Sequence, residues 1–299
     1  MSGLELKLPT KVEEIVVDGG RYFLKRDDQI HPHFSGNKGR KFMTLLETDS
    51  GEIDMIVSRG SNQSNAMYSL SVLARAKGWR FVYITDHISS YLAENPAGNY
   101  ARALKNGTEF VIGDADIDSI MEGKRAVFIE EGGRCPLSEA GIATLAAEIE
   151  RWREEAAVER LDIFLPSGTG TTALYLQKSL LSLAGESCRV YTTPCVGDGA
   201  YLLSQFRMLE KDETLYPRIL DPDRKYHFGR LYREFYEIWL KLRRECGVEF
   251  DMLYDPKGWM TLLAHRCRLC EDLLYIHQGG LVGNETMLPR YERKFGVGI

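Results

Sequence analysis

Nowhere does the sequence run apolar for the roughly 18 residues that a spanning helix needs. Its first stretch, MSGLELKLPTKVEE, has no apolar core of the kind that marks a secretory signal. A cytoplasmic location and no membrane partner are therefore expected. Also missing are a long basic block and a basic amphipathic stripe, since 38 Lys and Arg are interspersed with 43 Asp and Glu for a net charge of −5. That removes the electrostatic footprint of a nucleic-acid binder and leaves small molecules as the expected partners. Cysteine is sparse, with six scattered through 299 residues, so reduced thiols are expected rather than a disulfide framework. Cys267 and Cys270 form a CxxC, but inside what reads as a helical pattern, WMTLLAHRCRLCEDLLYIH, with no second CxxC or His-rich loop. Packing on a helix face is expected there. His31 and His33 have no carboxylate or thiol at ligand spacing and read as a loop stiffened by Pro32. No metal site is expected. Internal repeats, low-complexity tracts and a Pro/Gly/Ser linker are absent as well, so a second domain would have to be an insertion.

What the chain does contain is an alternation of strand-length apolar runs with helix-period segments, the pattern of a mostly parallel sheet covered by helices. One unit reads LDIFLP, SGTGTT, ALYLQKSLLSLAG, CRVYTTP, and another EIDMIVSR, GSNQSN, AMYSLSVLARAKG, RFVYITD. In both, a small polar loop joins the carboxyl end of a strand to the amino end of a helix, where open α/β sheets bind ligands. AVFIEEGG followed by SEAGIATLAAEIERWREEAA is a weaker repeat of the pattern. Beyond Asp221 the texture changes, and Phe228, Leu231, Tyr232, Phe235, Tyr236 and Trp239 recur at helical spacing as a core stripe.

Three loops could carry chemistry. SGTGTT, residues 167–172, combines unobstructed backbone N–H groups with hydroxyls at the start of a helix, which suits a phosphate. It is neither a Walker loop nor GxGxxG, so a monophosphate held by backbone is the natural ligand and a nucleotide-binding role is disfavoured. GSNQSNA, residues 60–66, offers Ser64 and Asn65 either as a helix N-cap or as a carboxylate seat. In HPHFSGNKGRK, residues 31–41, Lys38 lies between Gly36 and Gly39 and close to Arg26, Arg40 and Lys41. Neighbouring cations and burial would lower the pKa of its amine and make it a nucleophile. An activated amine, a monophosphate cradle and a carboxylate seat are together the needs of pyridoxal phosphate chemistry.

The ordered segments LKRDDQIHPHFSGNKGRKF, GSNQSNA, FIEEGG, PSGTGTT, YHFG, DMLYDPKG and YIHQGG resemble those of the 1-aminocyclopropane-1-carboxylate deaminase and D-cysteine desulfhydrase family, from about Tyr22 to Gly283. The resemblance implies an α/β fold of type II pyridoxal-phosphate enzymes, like the tryptophan-synthase β-subunit: two open, mostly parallel sheets flanked by helices. Residues 1–41 and 139–299 would form the larger, cofactor-binding domain and 42–138 a smaller inserted one. It implies pyridoxal 5'-phosphate on Lys38, its phosphate on Thr169, Gly170, Thr171 and Thr172, and its ring hydroxyl at Asn65. Ser64 matches a residue implicated in substrate carboxylate binding and proton movement, and Tyr226 and Tyr254 match two active-site tyrosines. The glycines beside Lys38 would let backbone and cofactor approach the amine.

Two positions bear on the substrate. Asp255 stands where the ring-opening deaminases usually have Glu and the desulfhydrases Ser or Thr. Gln278 stands where the former have Leu and the latter Thr. An acid at the pyridine nitrogen strengthens the electron sink, whereas a neutral neighbour favours elimination of a good leaving group. The expected function is release of ammonia and a 2-oxo acid from a small amino acid, with D-cysteine-type β-elimination ahead of cyclopropane ring opening. A catalytically silent cofactor-binding protein is a further alternative, and a homodimer is what the resemblance suggests.

Overall fold

The computed structural model of the chain describes residues 4–34 and 36–296. Ser35 of the lysine-bearing segment, and residues 1–3 and 297–299 of the larger expected domain, lie outside the described residues. The ten strands among the described residues are β1 Val12–Val17, β2 Gly20–Lys25, β3 Met55–Arg59, β4 Arg80–Thr85, β5 Glu109–Ile112, β6 Ala126–Ile129, β7 Leu161–Ser167, β8 Cys188–Pro194, β9 Arg218–Ile219 and β10 Leu273–Ile276. They form a six-stranded sheet in the order β1-β2-β10-β7-β8-β9 and a four-stranded sheet in the order β5-β4-β3-β6. Every pairing is parallel except β1 with β2. The small sheet arises wholly between β2 and β7, so it is inserted in the large one, as expected.

The physical basis is burial on both faces. All seven residues of β7, LDIFLPS, are buried, which is why the strand reads as a continuous apolar run. The helix Thr171–Ala184 then crosses back to β8 and covers one face with Leu174, Leu176 and Leu180. Facing it is the helix Ser138–Glu155, which buries Ile142, Leu145, Ala146 and Ile149 in the same core. In the small sheet, Met67, Leu70, Leu73 and Ala74 of the helix Asn65–Lys77 pack with Ile56, Phe81 and Tyr83.

Three expectations beyond Asp221 need correction. The helix carrying Trp259 ends at His265, and Cys267 lies in a short 3-10 turn, Arg266–Arg268, where it is exposed. Cys270 lies in the following loop, its backbone N–H donating to Asp162 Oδ2 at 2.8 Å. The apolar run LLYI that follows is not a helix face but β10, a central strand between β2 and β7. A short apolar run has no periodicity of its own, so its neighbours in the sheet decide. All six cysteines are free. Among the described residues no cluster of His, Cys, Asp and Glu could hold a metal, and no helix is long and apolar enough to cross a membrane.

The aromatic stripe is core from Phe235 onward: the helix Arg233–Cys246 buries Phe235, Tyr236, Ile238, Trp239 and Leu242. Phe228, placed in that stripe by its spacing, instead precedes the helix and is 43% exposed. It belongs to the site described next.

One buried polar network fixes the helix Gly36–Lys41 to the large sheet. The Arg40 guanidinium, fully buried, donates to Asp27 at 3.0 and 3.1 Å and to Glu148 at 2.7 and 2.8 Å. Lys25 Nζ donates to the same Glu148 at 2.6 Å.

Candidate active site

A cavity of about 440 Å³ opens between the two sheets. It lies beyond the carboxyl ends of β3, β7 and β10, where the loops 60–64, 168–170 and 277–280 leave the strands. Lys38, Ser64, Asn65, Thr169, Gly170, Thr171, Thr172, Tyr254, Asp255 and Gln278 all border it, so one space gathers segments as distant in sequence as residues 38 and 278. Tyr226 does not border it. Its ring is buried in the core, 4.6 Å from Phe235 and 4.9 Å from Tyr232 between ring centroids, because the residues after it turn back to start the helix at Arg233. The neighbouring Phe228 takes the cavity position, its ring 5.2 Å from that of Tyr254.

Lys38 is in the helix Gly36–Lys41, and its Nζ donates to Asn37 Oδ1 at 3.1 Å. Burial lowers its pKa from the ordinary 10.5 to about 8, against the opposing pull of the Asp251 carboxylate. Of the two expected causes, burial is the one that acts, and the nearby cations do not. Arg26 is paired with Asp28 and Glu13, and Arg40 with Asp27 and Glu148, so each spends its charge elsewhere. Lys41 also borders the cavity, donating to Gly132 O at 2.9 Å, and burial together with repulsion from Lys38 and Arg134 depresses its pKa.

Gly36 admits backbone, as expected, and the backbone is that of Gln278. A Cβ there would fall 1.5 Å from the carbonyl oxygen of Gln278, so glycine lets the lysine-bearing helix sit directly on the 277–280 loop. Asn37 N then donates to that carbonyl at 3.1 Å, and Asn37 Nδ2 to Gln278 Oε1 at 2.9 Å. The lysine is positioned from β10 as well as from β2.

Opposite stands the helix Thr171–Ala184, entered through Gly170 in the left-handed conformation at φ 71°. Thr171 and Thr172 are buried, Thr169 Oγ1 lies 3.2 Å from Thr171 Oγ1, and Thr172 Oγ1 has no partner among the described residues. A helix amino end with free N–H groups and an unpartnered hydroxyl favours an anion. On the other wall, Ser64 is the N-cap of the helix Asn65–Lys77, accepting from Ala66 N at 3.2 Å and Met67 N at 3.4 Å. The cap and the cavity position therefore coincide in one residue, whose hydroxyl also lies within hydrogen-bonding reach of the buried Tyr83 phenol.

Asp251 is the residue that sequence reasoning missed. Its Oδ1 accepts from the backbone N–H of Leu253, Tyr254 and Asp255, at 3.1, 2.5 and 3.2 Å. Its Oδ2 is buried without a partner among the described residues, and the residue borders the cavity. Burial raises its pKa to about 6, in spite of the three N–H groups and the charge of Lys38. By contrast Asp255 has both oxygens engaged, accepting from Tyr275 Oη at 2.6 Å and Asp251 N at 3.0 Å. Gln278 is also spent, donating to Pro166 O at 2.6 Å while accepting from Asn37. A carboxylate five residues before a helix proline reads in sequence as a turn former, and only the fold shows that one of its oxygens is left over.

Tyr254 borders the cavity with burial and the nearby Asp251 carboxylate raising its pKa far above 10. At neutral pH it is an O–H donor and not a phenolate.

The sheet arrangement and the position of the cavity define the class: this is the fold of the type II pyridoxal-phosphate enzymes, the tryptophan-synthase β-like architecture. A crystal structure described as that of an ACC deaminase homologue superposes with a TM-score of 0.81 at 23% identity, over 97% of this chain and 95% of that one. In sequence, the "Putative 1-aminocyclopropane-1-carboxylate deaminase" of Pyrococcus horikoshii is 26% identical, over 92% of this chain and 88% of that protein. The "Putative D-cysteine desulfhydrase 2, mitochondrial" of Oryza sativa subsp. japonica is 21% identical, over 92% of this chain and 81% of that protein. No family model matches the chain.

Proposed function

We propose that the cavity holds pyridoxal 5'-phosphate on Lys38 and that the protein is a lyase or deaminase of a small amino acid, releasing ammonia and a 2-oxo acid. The observation that carries the reading is a buried lysine amine, with its pKa near 8, sharing one cavity with the amino end of the helix Thr171–Ala184. The residues present fit the group through three leftover polar atoms: Thr172 Oγ1 at the helix start, Asp251 Oδ2, and Asn65 Nδ2, which has no acceptor among the described residues. When bound, the cofactor supplies an electron sink for charge developing at the substrate Cα.

The chain's own residues account for the remaining tasks. Lys38 has a substantial neutral fraction near pH 7.5, so it can attack an aldehyde and take up a proton. Thr169, Gly170, Thr171 and Thr172 would seat the phosphate, Asn65 would meet the ring hydroxyl, and Ser64 would meet a substrate carboxylate. Asp255 and Gln278 fix the floor of the site rather than reaching into it, since their polar atoms are spent on Tyr275, Asn37 and Pro166. A contact of the helix Gly36–Lys41 with the helix Ser138–Glu155 supports grouping 1–41 with 139–299 and setting 42–138 apart. A cytoplasmic homodimer belongs to the same proposal.

Elimination from D-cysteine is the preferred reaction. Ring opening of 1-aminocyclopropane-1-carboxylate, the second reading, is favoured by the name of the archaeal relative. It needs a base or nucleophile at a ring carbon, and a Tyr254 held protonated beside an anion is poorly suited to that. Sulfide release from D-cysteine assayed beside 2-oxobutanoate release from the cyclopropane separates the two. Sulfide lost in Lys38→Ala is expected; 2-oxobutanoate alone would reverse the preference, and neither product from a broad amino-acid panel would leave a silent cofactor binder.

A further inference from the structure

Asn99 does not border the cavity; it stands behind Asn65, which does. It sits in the helix Gly98–Lys105 and is buried, 1% exposed. Its Nδ2 donates twice, to the backbone carbonyl of Gln63 at 2.9 Å and to Asn65 Oδ1 at 2.7 Å. Its backbone N–H is held too, donating to Gln63 Oε1 at 3.1 Å. The carbonyl of Gln63 can only accept, so the Asn99 amide cannot turn over without setting two oxygens against each other. With Asn99 fixed, Asn65 must present its oxygen to Asn99, which leaves its NH2 group as the end free to serve the cavity. An added Cβ at Gly280 would come within 2.5 Å of that nitrogen, so the position beside it is kept free of a side chain. The arrangement has a cost: Asn99 Oδ1 is buried without a partner among the described residues, and such orphans call for an explanation.

We infer that Asn99 is a positioning residue that locks Asn65 as a hydrogen-bond donor toward the ring hydroxyl of the cofactor. The inference rests on the reading of the cavity given above. Asn65 alone, rotating freely about its last torsion, would present donor or acceptor with little preference. Held by Asn99, it selects a ligand oxygen that accepts, and so favours a ring carrying an ionised hydroxyl over one lacking it.

The test compares equilibrium binding of pyridoxal 5'-phosphate with that of its 3-deoxy analogue, followed by protein fluorescence in the full-length chain. Wild type is expected to prefer the hydroxylated cofactor by about 10-fold, the worth of one hydrogen bond to a charged group. Asn99→Ala should lose most of that preference while binding the deoxy analogue unchanged, and should add no loss in an Asn65→Ala background. Asn99→Asp keeps the shape but cannot donate, so it should lose the preference as well; it carries the test if the alanine variant does not fold. Equal weakening of both cofactors in the variants would reduce Asn99 to a structural residue and overturn the inference. Full preference retained by Asn99→Asp would overturn it too. A wild type that binds neither cofactor would instead overturn the reading of the cavity, and this inference with it.

Discussion

Asp251 and Asp255 bind each other's backbone: Asp251 N donates to Asp255 Oδ2 at 3.0 Å, and Asp255 N donates to Asp251 Oδ1 at 3.2 Å. This exchange closes the turn before the helix Asp255–His265 and fixes Tyr254 between them. It also divides the labour of two buried carboxyls. Asp255 is fully engaged, and burial together with the neighbouring Asp251 raises its pKa well above the ordinary carboxylate value. Asp251 keeps one oxygen over and carries the charge that faces Lys38.

The first prediction concerns that charge. Asp251 opposes the effect of burial on Lys38, so removing it lets the amine fall below about 8. Asp251→Asn retains an oxygen for the three capping N–H groups and should fold. Reductive methylation of Lys38 with a labelled methyl, titrated by NMR, should show the midpoint moving downward in the cofactor-free variant. A midpoint that stays or rises would contradict the pairing.

A second prediction follows from the network under the lysine-bearing helix. Arg40→Met leaves Asp27 and Glu148 buried without their main counter-charge. Breaking a buried ion pair from one side costs roughly 3–5 kcal/mol. Chemical denaturation should show a loss of that order at pH 7 and a smaller loss at pH 4, where the Glu148 carboxylate, no longer held below its ordinary pKa by Arg40, can take up a proton. An equal loss at both would assign Arg40 a packing role only.

The two tyrosines expected at the site should behave differently. Tyr226→Phe keeps a ring packed on Phe235 and Tyr232, so kcat/KM should stay within about twofold of wild type. Tyr254→Phe removes an O–H donor from the cavity and should lower kcat by roughly 10²–10³-fold, in the range for loss of a positioned proton donor. Phe228→Ala, at the exposed rim, should alter KM and the ranking of small amino acids more than stability. Steady-state kinetics on the three variants checks all of this, and a Tyr226→Phe as damaged as Tyr254→Phe would refute the placement of Tyr226.

Much of the fold was legible from the chain because parallel strands buried on both faces announce themselves: β8 is CRVYTTP and β4 begins RFVYIT, as the runs read. The hairpin β1–β2 and the central β10 were not, since LLYI continues an apolar helix without a break and its strand character comes from pairing with β2 and β7. At the site, Lys38, Asn65 and the 169–172 loop could be found by residue type and glycine content. Asp251 and Asn99 could not, because their importance lies in which of their atoms are left unpaired or spent, and that is a property of distant partners. Tyr226 and Phe228 show the limit from the other side: two residues apart on one loop, they exchange the cavity position that the resemblance implies for Tyr226 and the core position that spacing assigns to Phe228.

The most direct measurement is to incubate the protein with pyridoxal 5'-phosphate, reduce it with borohydride and map the modified peptide by mass spectrometry. The account predicts one phosphopyridoxyl group per chain, on Lys38. Modification centred on Lys41 or on another lysine, or no stable modification, would contradict it.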